Sequence, residues 1–181
     1  VLTSLLLLIL TTFLAAQEKH HYQTDFSPED FNKRRTQIFT TIGNNAFALI
    51  QGSAGVPGFS VYRQSNTFYY LSGLETAHAY LLLNGKHKTS TLYLPHRDEG
   101  REKGEGKVLS AEDAELVKEL TGVDKVRGLE FLSSDIVSTG LIKPPGLVLY
   151  TPLSPAEIGN DSRDEILYAQ ARTASDPWYA H

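Results

Sequence analysis

Residues 62–73 read Tyr62-Arg63-Gln64-Ser65-Asn66-Thr67-Phe68-Tyr69-Tyr70-Leu71-Ser72-Gly73. Thr67 to Leu71 is aromatic and β-branched, as is Phe59 to Arg63 just before it, and Gln64, Ser65 and Asn66 lie between them. Such runs on either side of a short polar spacer predict a strand, a turn and a second strand closed by Gly73. Two roles are open for the polar cluster. Its side chains can satisfy local backbone groups while Phe68, Tyr69 and Tyr70 fill the core. Alternatively Arg63, Gln64 and Asn66, beside Phe68, Tyr69 and Tyr70, present a surface to a second domain or a neighbouring subunit, where exposed Tyr and Arg are favoured.

Upstream, Ser27-Pro28-Glu29-Asp30 supplies an N-cap, a proline at the first helical position and acidic residues where the helix dipole favours them. A helix of about 15 residues follows, with Phe31, Ile38 and Ile42 on its buried stripe, Lys33, Arg34, Arg35 and Gln37 facing water, and Gly43 as its stop. Ala46 to Ile50 predicts a buried strand and residues 52–58 (GSAGVPG) a loop.

Downstream, Ala79 to Leu83 and Thr91 to Leu94 predict a hairpin around Asn84 to Lys88, ended by Pro95. Residues 96–107 (HRDEGREKGEGK) are charged and glycine-rich, which predicts an exposed, mobile loop. Ser110 with Asp113 resembles a capping box for a helix that buries Leu116, Val117 and Leu120 and ends at Gly122. Val126 marks a short strand. Phe131, Leu132, Ile136, Val137 and Leu141 are spaced as a helix up to Gly140, and after the break at residues 143–146, Leu147 to Tyr150 reads as a last strand. The alternation predicts a mixed α/β domain with one sheet and flanking helices.

The chain has 181 residues, 41% of them hydrophobic, with 17 Lys and Arg against 21 Asp and Glu for a net charge of −4. That length fits one domain with a real core. No basic footprint for nucleic acid exists. The absence of cysteine excludes disulfides, thiolate zinc sites and cysteine nucleophiles. Residues 1–16 (VLTSLLLLILTTFLAA) are uncharged and end in small residues, as in a secretory signal peptide, and they fall short of the roughly 20 apolar residues of a spanning helix. Export to a periplasm or the exterior is the first expectation and a membrane anchor the second. With no Met, and with Val1 inside an apolar run that lacks a basic leader, the expectation is a chain cut at its start.

Catalytic motifs are absent from the pattern. The six histidines form no HExxH, Gly52-Ser53-Ala54-Gly55 is not a nucleophile elbow, and Gly104-Glu105-Gly106 lacks the GK[ST] of a phosphate loop. The mixed charges of residues 97–107 read as a solvated surface. Asn160-Asp161-Ser162 is a formal glycosylation sequon, meaningful only in a eukaryotic source.

The 62–73 segment resembles the Y-R-Q-N/S-x-x-F-x-Y-L-S/T-G signature of the N-terminal domain of aminopeptidase P. Further matches fall in the same order: Phe31 with Arg34 and Arg35, then Glu75 and Ala77, then Leu92-Tyr93-Leu94-Pro95 with Arg97-Asp98. The resemblance implies a creatinase N-terminal, ribonuclease H-like α/β fold over residues 25–150. Residues 151–181 would form a linker toward a C-terminal "pita-bread" catalytic domain, the chain ending before that domain begins. The intact protein would be a Xaa-Pro aminopeptidase acting on proline-containing peptides, using two Mn2+ or Zn2+ ions held by two Asp, one His and two Glu, none of them in this chain. Its N-terminal domain would serve homo-oligomer assembly and the substrate entrance, with Arg63, Asn66, Tyr69, Arg97 and Asp98 as interdomain or entrance residues. One departure stands out: relatives often carry E-x-W-x-G after the Arg-Asp pair, and Gly104 replaces the Trp here. That weakens the expectation of a contact from this loop to a neighbouring subunit's active site. The alternatives are a free-standing secreted binding or regulatory module, or the N-terminal domain of a prolidase or creatinase relative.

Overall fold

The computed structural model describes residues 21–54, 62–138 and 147–152. The chain opens with helix α1 (Pro28–Ile42), whose cap is reciprocal: Asp30 N–H donates to Ser27 Oγ at 3.3 Å and Ser27 N–H to Asp30 Oδ2 at 3.2 Å. Strand β1 (Ala46–Gln51), helix α2 (Asn66–Ser72), strands β2 (Tyr80–Asn84) and β3 (Thr89–Leu94) and helix α3 (Glu99–Glu105) follow. A short 3-10 turn (Ala111–Asp113) leads into α4 (Ala114–Thr121), then come β4 (Lys125–Gly128), a second 3-10 turn (Leu129–Phe131), α5 (Leu132–Ser138) and β5 (Val148–Tyr150).

The five strands form one mixed sheet in the order β4-β3-β2-β1-β5. The central hairpin pairs antiparallel, with Leu82 opposite Thr91, and β2 pairs antiparallel with β1, with Leu82 opposite Leu49. Both outer pairs, β3 with β4 and β1 with β5, are parallel. Because side chains alternate along a strand, Leu81 and Leu83 join Ala48 and Ile50 on one face, while Leu82 joins Phe47 and Tyr93 on the other. Helices α1, α2 and α4 cover the first face with Phe39, Phe68, Leu71 and Val117, and α5 covers the second with Leu132 and Ile136. Two covered faces explain why β2 reads as a continuous apolar run. The expected α/β class with a mixed sheet and flanking helices is what the chain adopts.

Three expectations need correction. Residues 66–72 form a helix, not the second strand of a hairpin. Ser65 Oγ caps it by accepting from Phe68 N–H at 3.2 Å, and Phe68, Leu71 and Ser72 are buried at helical spacing while Tyr70 faces out. Packing against α1 and the sheet outweighs the β preference of an aromatic run. Arg35 does not face water but is fully buried. Within residues 96–107, α3 replaces the loop, with Asp98 Oδ1 accepting from Gly100 and Arg101 N–H at 3.0 Å each and the Arg101 to Glu105 pair at 2.6 Å along its face. The helix from Phe131 begins one residue later, at Leu132, and is described as far as Ser138. The signal segment at 1–16, the strand residues 59–61, the break at 143–146, the sequon and nearly all of 151–181 lie outside the described residues.

Candidate functional site

The signature segment is first of all a structural joint. Gln64 is buried, and its Oε1 accepts from Ser53 N–H at 2.6 Å and Ser65 N–H at 3.0 Å while its Nε2 donates to Thr76 O at 2.9 Å. One amide thereby joins the chain leaving β1, the start of α2 and the turn before β2, as a group with both donor and acceptor can. Ser65 Oγ also donates to Gln51 O at 3.2 Å. Gly73 ends α2 at φ +69°, where a Cβ would overlap the Phe31 ring. Side chains that satisfy local backbone groups are thus one of the two roles the sequence left open, and Gln64 and Ser65 fill it.

Beside this joint runs a cleft of about 350 Å³ between the Glu75–His78 turn, α3 and the Pro95–Asp98 segment. Tyr62, Ala77, Pro95, Val108 and Leu109 give it apolar lining, and Arg97, Arg101, Glu75 and Glu102 add both signs of charge. Arg97 is held from several sides: Nη2 meets Asp113 Oδ1 at 2.6 Å, Nε lies 3.7 Å from Glu102, and its N–H donates to Glu112 Oε2 at 2.8 Å. Lys107 Nζ reaches Asp113 at 3.7 Å. Hydrogen bonding to Asp113 raises the Arg97 pKa. Burial pushes the Asp113 carboxyl up, but hydrogen bonds from Ser110 and Arg97 outweigh it and the net direction is down. Burial, then the Glu75 charge, raises the Tyr62 phenol, whose OH donates to Ser53 O at 3.2 Å.

Arg97 and Asp98 therefore share one cleft, with Asp98 also capping α3. Arg63, Asn66 and Tyr69 do not line it. Arg63 and Asn66 are exposed at the start of α2, and Tyr69 is half-buried with its phenol raised by burial and then by Glu75 and Asp25. Sequence reasoning passed over Tyr62, Arg101 and His96 as cleft residues. The first stands at the head of the signature, but the other two lie in a charge run with no feature to single them out. Among the described residues no group of three or more His, Asp or Glu side chains could hold a metal ion.

The sequence of residues 31–143 matches the family described as "Aminopeptidase P, N-terminal domain". The chain belongs to that family. A curated relative, "Probable Xaa-Pro aminopeptidase" of Aspergillus fumigatus, is 34% identical over 115 residues, which is 59% of this chain and 22% of the relative. The chain thus spans about a fifth of the length of the curated relatives it matches. Among solved structures, Escherichia coli aminopeptidase P with the inhibitor Pro-Leu superposes with a TM-score of 0.61 at 22% identity, over 84% of this chain and 34% of that one. A histidine-to-alanine variant of the same enzyme gives 0.55 at 24% identity, over 64% and 27%. These likenesses show the fold of the aminopeptidase P N-terminal domain. The Gln64 joint, the α2 cap and the Gly73 turn all fall within the matched residues 31–143.

Proposed function

We propose that this chain is the non-catalytic N-terminal domain of a Xaa-Pro aminopeptidase, an enzyme that removes an N-terminal residue preceding proline, and that it serves oligomer assembly and the substrate entrance. The observation that carries this reading is the family match over residues 31–143, joined to a relative named for that activity of which this domain makes up about a fifth. A following pita-bread domain would hold the manganese or zinc ions, whose chemistry when bound is to lower the pKa of a water and polarise the scissile carbonyl.

What the chain's own residues do is recognition. In the cleft, Arg97 is held by Asp113, and Arg101 pairs with Glu105 along the exposed face of α3, so two cations stand beside apolar lining. Charge of both signs beside apolar contact suits the amides and termini of a peptide better than it suits a simple anion. Arg97 and Asp98 then belong to the entrance, while Arg63, Asn66 and Tyr69 face the catalytic domain or a neighbouring subunit of a homo-oligomer. With Gly104 in place of an aromatic, the rim contact comes from the Arg97 side. The uncharged apolar run of residues 1–16 supports export of the enzyme.

The test compares the full-length gene product with this 181-residue chain, both assayed with Mn2+ on an Ala-Pro peptide. The expected result is turnover by the full-length protein, abolished by a chelator, and none by the chain alone. Sustained chelator-sensitive turnover by the chain alone, or a full-length protein inert toward Xaa-Pro peptides, would overturn the reading.

A further inference from the structure

His96, the second residue past β3, stands between two carboxylates from different parts of the fold. Its Nδ1 lies 2.5 Å from Glu112 Oε1, on the 3-10 turn before α4, and its Nε2 lies 3.2 Å from Glu130 Oε2, on the turn after β4. A neutral imidazole donates from one nitrogen and turns a lone pair outward from the other, so it satisfies one of these carboxylates and opposes the second. Only the imidazolium donates to both. The Glu130 carboxyl group folds back over Gly128, in the space that a Cβ there would occupy.

The same Glu112 carboxylate accepts from Arg97 N–H through its other oxygen at 2.8 Å. Arg97 in turn meets Asp113 at 2.6 Å and Glu102 of α3 at 3.7 Å. The start of α3, which has no buried residue of its own, is therefore anchored through residues 96 and 97. We propose that His96, Glu112 and Glu130 form a pH-sensitive latch that holds the N-terminal end of α3 when His96 is protonated and releases it when the proton is lost. A consequence for peptide entry rests on the function proposed above; the latch itself does not.

The charged groups that act on the imidazole are Glu112 before α4 and Glu130 after β4; Arg127 on β4 acts on Glu130, Asp113 before α4 and Glu102 on α3 hold the neighbouring Arg97, and Arg97, Asp98, Arg101, Glu102 and Glu105 line the same cleft as His96. Hydrogen bonding to Glu112, then to Glu130, raises the His96 pKa above its ordinary 6.5. Hydrogen bonding from His96, then from Arg97 N–H, lowers Glu112 to about 2. Glu130 is also lowered, first by its backbone, so both carboxylates stay ionised where His96 titrates. For a base whose folded pKa is raised, the contribution is complete below the unfolded value of 6.5 and is lost as pH rises through the folded value. The latch opens toward alkaline pH.

The experiment is an NMR titration of the 181-residue chain, following the His96 ring signals together with amide exchange in α3, corrected for intrinsic rates. The expected result is a His96 pKa above 6.5 and a rise in α3 opening of about threefold or more through the same pH interval, with α4 and β2 amides unchanged. In His96→Gln, and separately in Glu112→Gln, α3 should exchange at the alkaline level at every pH. A wild-type α3 that exchanges evenly across the His96 titration, or a His96→Gln chain that keeps the step, overturns the proposal, and the wild-type titration decides alone if a variant does not fold. No catalysis is read, so failure of the latch and failure of the aminopeptidase reading are separate outcomes.

Discussion

Arg35 Nη1 donates to the carbonyl of Leu71 at 2.9 Å, tying the middle of α1 to the last turn of α2. The same guanidinium donates from Nη2 to Thr121 O and Gly122 O, both at 2.8 Å, so one side chain binds the C-terminal ends of two helices. Those ends carry unsatisfied carbonyls and the negative pole of the dipole, which favours a cation. Burial pushes the Arg35 pKa down to about 10, partly opposed by Asp124, so it stays charged at neutral pH. Arg35→Met should cost about 3 kcal/mol, because it strands buried carbonyls that no methyl group can satisfy. Arg35→Lys should recover only part, lacking the fork that reaches all three. Urea unfolding followed by circular dichroism measures both.

Gly73→Ala should destabilise the domain by about 3 kcal/mol, from a left-handed backbone at φ +69° and from overlap with the buried Phe31 ring. If the ring is the obstacle, Phe31→Leu and Gly73→Ala together should cost less than the sum of their separate costs. A double-mutant cycle with a coupling energy near zero would refute that origin.

Helix α3 should respond locally. A Cβ at Gly104 meets nothing within 4 Å, so Gly104→Ala should stabilise α3 by up to about 1 kcal/mol through backbone entropy. Asp98→Ala removes the cap that accepts from Gly100 and Arg101 N–H, and should cost about 1 kcal/mol. Amide exchange within 99–105 should change in opposite directions for the two variants, with β2 unaffected.

Acid should weaken the contacts around Glu112. Its folded pKa is about 2 against an ordinary 4.5, so its contribution is present above 4.5 and is lost as pH falls toward 2. Because the group is exposed, the effect is a modest one that salt screens. Thermal midpoints at falling pH should drop less in Glu112→Gln than in wild type, and equal slopes would contradict this assignment.

The legible parts of the sequence were those governed by chemistry within a few residues. Ser27-Pro28-Glu29-Asp30 and Ser110 with Asp113 form the caps their spacing announced, and Asn84 Oδ1 closes the hairpin turn by accepting from Lys86 and His87 N–H. The Arg97-Asp98 pair was visible through resemblance, but its surroundings were not. His96 meets Glu112 and Glu130 across 16 and 34 residues of chain, separations over which sequence spacing carries no geometry.

The sequence by itself determined the α/β class, α1, the central hairpin and α4, because caps, alternation and turn residues act through neighbouring backbone groups, while the family was legible through the resemblance carried by residues 62–73. Tertiary structure alone decided that Thr67 to Leu71 is helical, that Arg35 is buried and that the 96–107 charge run holds a helix. An aromatic run suits either a strand or a helix, and Phe68 and Leu71 settle it by packing against the α1 side of the sheet. An arginine in a basic run has no local reason to be buried until Leu71, Thr121 and Gly122 bring their carbonyls to it.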